Sequence, residues 1–106
     1  MFVVIYKFEV KENMNSKFLK AWEELTDLIY EYEGSLGSRV HFERESVYVA
    51  YAQWPDKGTW ENAGSNMPEN AEEVRSRMRN SCAKIETLSE LECVKDLLRP
   101  KSKNML

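Results

Sequence analysis

Residues 40–54 read VHFERESVYVAYAQW. From Val47 the side chains fall into two alternating sets, Val47, Val49, Tyr51 and Gln53 against Tyr48, Ala50, Ala52 and Trp54. Neighbouring side chains of a strand point to opposite faces of its sheet. Val47–Trp54 is therefore a strand whose two faces are both largely apolar, and both must be covered. Ser35 to Glu43 reads as the strand before it. Glu45-Ser46 forms a short hairpin turn between them, without the favoured Asn-Gly chemistry.

Upstream, Phe2 to Phe8 is apolar and β-branched and reads as a first strand. Phe18, Trp22, Leu25, Ile29 and Tyr32 then recur at three- and four-residue steps, which predicts a helix with these residues inward. Asn13 or Asn15 is placed to cap its start, and Gly34 to end it. Downstream, Pro55-Asp56 stops the third strand and opens a short helix through Trp60. Gly64 to Pro68 interrupts it. A second helical segment runs from about Pro68 to Asn80, with Ala71, Val74 and Met78 inward. Ile85 to Leu98 contains a fourth strand anchored by Leu88, Leu91 and Val94.

Strand, helix, strand, strand, helix, strand is the ferredoxin-like βαββαβ order, an α+β fold. It implies an antiparallel four-stranded sheet with helices on one face. The uncovered apolar face needs a partner, and a second copy of the chain is the economical one. The expected assembly is a homodimer through the sheet face, a dimeric α+β barrel.

With 106 residues and 42% hydrophobic content, the chain fits one domain, taken as residues 1–98. A basic tail follows over 99–106 and is expected to be solvated and frayed. A net charge of −3 argues against nucleic acid, which favours a basic stripe. Cys82 and Cys93 form no CxxC pair, and a chain with one histidine has no zinc-finger spacing. The opening MFVVIYKF is too short for a signal peptide or membrane span, so the cytoplasm is the default location. No Ser/His/Asp arrangement, phosphate loop or dinucleotide fingerprint is present.

His41 is the only histidine, the residue type that exchanges protons near neutral pH. By alternation it shares a face with Arg39 and Glu43. It is read either as a solvated strand residue or as a group facing a substrate. Trp54, at a strand end beside Pro55, can pack in the core or line a pocket. Of Tyr6, Tyr48 and Tyr51, one can offer a hydroxyl to a ligand, and Tyr51 is the candidate.

Gly34-Ser35-Leu36-Gly37-Ser38, His41, Tyr51-Ala52-Gln53-Trp54 and Trp60 together resemble the antibiotic biosynthesis monooxygenase family over roughly residues 2–98. The resemblance implies a dimeric α+β barrel. It also implies oxygenation of a small aromatic or quinol-like, polyketide-type substrate by molecular oxygen, without flavin, haem or metal. In such chemistry the deprotonated substrate reduces oxygen itself, and the protein supplies a dry aromatic pocket with a few polar groups. On this resemblance His41 and Trp54 are the catalytic candidates, with Trp54 aiming its indole N–H at a substrate oxygen. Trp60, Tyr51 and Arg75 (or Arg77) are the substrate-binding ones. Two departures stand out. Trp60 replaces a tyrosine, and its indole N–H donates a hydrogen bond but cannot exchange a proton as a phenol can. Ala50 replaces an asparagine that would orient the substrate, across the hairpin from His41. A non-catalytic dimeric small-molecule-binding module is the alternative. Haem degradation fits poorly, because residues 68–82 hold no histidine and Phe2 to Phe8 no asparagine.

Overall fold

In the computed structural model, which describes residues 1–99, β1 (Phe2–Val10) pairs antiparallel with two other strands. These are β3 (Val47–Trp54) and β4 (Cys82–Glu92). β2 (Gly37–Arg44) closes the four-stranded sheet on the far side of β3, giving the order β2-β3-β1-β4. The described residues also form three helices: α1 (Asn15–Glu33), α2 (Lys57–Glu61) and α3 (Ala71–Asn80). This is the expected ferredoxin-like arrangement, with the helices on one sheet face.

Register shows which residues share that face. Phe2 lies opposite Trp54, Val4 opposite Ala52, Tyr6 opposite Ala50 and Phe8 opposite Tyr48. Phe8, Tyr48 and Ala50 pack with Phe18 of α1 in one core cluster, while Phe2, Val4, Ala52 and Trp54 form a second. Phe18 is fully buried, its ring 5.0 Å from Phe8 and 5.2 Å from Tyr48. Deleting such a ring costs about 3–5 kcal/mol. The opposite face carries Val3, Ile5, Val49, Tyr51 and the half-exposed Leu91.

Local chemistry explains most element ends. Gly34 takes the left-handed conformation at φ 77° and ends α1. Asp56 caps α2, accepting from the Thr59 amide at 2.7 Å and hydroxyl at 2.9 Å. Those bonds, the amide's first, hold its carboxyl below the usual carboxylate range.

Several expectations are corrected. No side chain caps α1, whose N-cap is Met14. Asn15 instead accepts from the Tyr48 hydroxyl at 3.0 Å and reaches the Ser46 hydroxyl at 3.4 Å, tying α1 to the hairpin. Tyr32 is exposed, because the inward stripe of α1 runs through Phe18, Ala21 and Leu25 and has rotated away by its last turn. β4 begins at Cys82, ahead of Ile85, and ends at Glu92, so Val94 anchors nothing and is 89% exposed. Two register shifts against β1 break its alternation. Cys82 and Cys93 are both free thiols. The basic tail lies, beyond Arg99, outside the described residues.

Candidate functional site

Between the sheet and its helices lies a cavity in two compartments. The larger, about 610 Å³, opens beside α2 and is bordered by Trp60, Glu61, Gly64, Met67, Arg75 and Glu90. The smaller, about 210 Å³, runs under α1 over a floor of Phe8, Ala50 and Ala52, with Trp22, Leu25 and Met78 above. Tyr6, Ile29 and Trp54 border both.

Two of these residues carry polar groups of note. The Trp54 indole N–H is buried without a hydrogen-bond partner. Such a group costs about 1–3 kcal/mol and marks a place where an acceptor is missing. The Tyr6 hydroxyl accepts from Trp60 Nε1 at 3.0 Å. That bond occupies a lone pair and leaves the phenolic hydrogen without a protein acceptor among the described residues. Burial pushes the Tyr6 phenol above its ordinary pKa. The Trp60 bond lowers it in part, and the Glu90 carboxylate nearby raises it further. The hydroxyl therefore stays protonated and available as a donor.

The rim is organised by Glu33, the last residue of α1, whose side chain borders the larger compartment. Its carboxylate accepts from the Gly64 amide at 2.6 Å, the Asn66 amide at 3.2 Å and Asn66 Nδ2 at 3.3 Å. A carboxylate at a helix C-terminus faces the negative end of the macrodipole. Here it is held by the loop between α2 and α3 instead. Arg75 also borders the rim and pairs with Glu72 at 3.3 Å.

Of the residues singled out from sequence, Trp54, Trp60 and Arg75 border this cavity. His41 and Tyr51 do not. Ala50 lies opposite Val40, not opposite His41, which pairs with Val49 and is exposed on the other sheet face. A one-residue offset in a strand moves a side chain to the other side of the sheet. Tyr51 lies on that far face too, its hydroxyl donating to Gln53 Oε1 at 3.0 Å. Tyr6 was one of three tyrosines able to offer a hydroxyl, passed over for Tyr51, and Glu33 was not a candidate. Alternation places Tyr6 with Phe2 and Val4, but nothing local marks it as the tyrosine under the helices. Glu33 finds its partners 31 and 33 residues away. Among the described residues, no group of three or more His, Cys, Asp or Glu side chains is placed to hold a metal ion. No described helix is long and apolar enough to cross a membrane.

The sequence model of the antibiotic biosynthesis monooxygenase family matches residues 1–66. SnoaB, a cofactor-independent oxygenase from Streptomyces nogalater, superposes with a TM-score of 0.74 at 15% identity, covering 92% of this chain and 97% of its own. An asparagine-to-alanine variant of SnoaB gives the same TM-score at 16% identity, with the same coverage. A conserved protein from Methanosarcina mazei Go1 superposes with a TM-score of 0.64 at 19% identity, over 81% of this chain and 88% of its own. At such identities the likeness establishes a common fold. No curated protein matches the chain significantly.

Proposed function

The chain belongs to the antibiotic biosynthesis monooxygenase family, and from that premise we propose that it is a cofactor-independent monooxygenase acting on a small aromatic or quinol-like substrate. The observation that carries the reading is the buried, unpartnered indole N–H of Trp54, a residue that borders both compartments together with Tyr6. In an anthrone-type reaction two C–H bonds of an activated ring carbon break and a C=O bond forms. The O–O bond of dioxygen breaks, and its second oxygen leaves as water with the two hydrogens. Loss of the first proton leaves a delocalised anion that reduces oxygen.

Trp54 donates to the substrate oxygen on which that charge gathers, in a site where water does not compete. Tyr6, kept neutral, donates to a second oxygen. Trp60 holds the Tyr6 hydroxyl in place and walls the pocket. Arg75 offers the rim one positive charge.

Oxygen-electrode measurements with anthrone and hydroquinone substrates test this. Uptake is expected to fall about tenfold or more in Trp54→Phe, the loss of one well-placed donor. In His41→Ala it is expected to change less than about twofold, as for a surface site. Wild-type protein that consumes no oxygen with either class overturns the proposal. Ala50 favours a second reading. Its methyl group makes no hydrogen bond in the smaller compartment, as in a module that binds aromatics without converting them. That reading predicts thermal stabilisation by ligand with no oxygen uptake.

The same reading includes a homodimer. The face bearing Val3, Ile5, Val49 and Leu91 lies away from all three helices, and a second copy would bury it sheet to sheet.

A further inference from the structure

We infer that the smaller compartment receives an alkyl substituent of the substrate, so that the site is built for alkyl-bearing hydroxyaromatics, with Ala50 setting that specificity. The inference rests on the proposed oxygenase reading for the position of the ring. The smaller compartment is also bordered by Thr26 and Ser38, and the residues common to both compartments bring two donors, the Trp54 indole N–H and the Tyr6 hydroxyl. A ring whose oxygens meet those donors has its flat walls there, in Trp54, Tyr6 and the neighbouring Trp60. The space beyond it, about 210 Å³, is lined mainly by carbon.

A space so lined holds water poorly and leaves its walls without contact partners when empty. Its floor is low because Ala50 and Ala52 occupy it, and both are buried. Its roof includes Met78, an unbranched side chain that adapts to irregular occupants. A flexible chain of methylenes satisfies such a volume, and each methylene moved from water adds affinity.

Anaerobic calorimetric titration of hydroquinone and its ethyl, hexyl and decyl derivatives tests the inference without any variant. Affinity is expected to rise about a hundredfold from hydroquinone to the hexyl compound. It should then level off once the compartment is full. A constant gain per carbon through decyl, as in partition onto any apolar surface, overturns the inference. In Ala50→Leu the added carbons occupy the space of the tail. The gain of the hexyl compound over hydroquinone, each measured on the same variant, is expected to shrink by about tenfold. An Ala50→Leu protein that melts cooperatively and keeps the whole hexyl gain also overturns it. Admitting oxygen to the same samples separates the two readings. Tight, tail-dependent binding without oxygen uptake removes the oxygenase reading and leaves the tail compartment standing. Uptake that ignores the tail does the reverse.

Discussion

Tyr6 and Trp54 owe their prominence to where strand alternation puts them. Tyr6 sits under the helices, so burial raises its pKa above the ordinary 10.0. A neutral form favoured by folding stabilises the protein fully below pH 10.0, and that contribution is lost as pH rises through the raised value. Melting temperature should therefore fall on the alkaline side, and Tyr6→Phe should flatten that part of the profile. The same substitution removes the acceptor of Trp60 Nε1 and is expected to cost about 1 kcal/mol near neutral pH, read from denaturant unfolding. Trp54 was legible as a pocket candidate because it ends a strand whose other set also needs cover. The place of His41 was only half legible. Its neighbours Arg39 and Glu43 follow from alternation, but its partner across the hairpin depends on register. The turn at Glu45-Ser46 places Ser46 at φ 62°, with a shift between Phe42 and Arg44.

At the scale of elements, the α2–α3 loop is held by one carboxylate. Glu33→Ala leaves the Gly64 and Asn66 amides without their acceptor. Hydrogen exchange at those two amides is expected to accelerate about tenfold, with the core amides of β1 and β3 unchanged. Equal acceleration throughout would mean global destabilisation instead of a loosened rim. Gly34→Ala, at φ 77° and with Thr59 Cγ2 3.4 Å from the added carbon, is expected to cost about 1 kcal/mol. The elements themselves were readable. Val47–Trp54 has its bounds as expected, and the helix ending at Gly34 follows from its apolar period. β4 was not, because two shifts against β1 interrupt its alternation and its exposed Leu88 and Leu91 resemble core anchors. The Glu33 clamp was hidden for a different reason. A polar contact spanning 31 residues leaves no periodic trace.

For the whole molecule, the two sheet faces have separate tasks. One forms the cavity floor, and the other is assigned to the second copy. Val49→Lys places a charge in the centre of that second face, opposite His41 and Lys7. Sedimentation should show a dimer for the wild type and a monomer for the variant, since an unpaired charge is costly in a sheet-to-sheet interface. A wild-type monomer at tens of micromolar, about the range where weak interfaces dissociate, removes the dimer. The sequence demanded cover for both faces without saying which the helices took. That choice needed the pairing of β1 with β3, a contact between distant segments. One further property follows from the cavity's walls. All three tryptophans of the chain border it: Trp22 the smaller compartment, Trp60 the larger and Trp54 both. Its tryptophan emission therefore originates wholly from residues around the site. Excited at wavelengths that tyrosine does not absorb, the chain carries a built-in optical gauge of its own occupancy, which an arriving aromatic ring would quench.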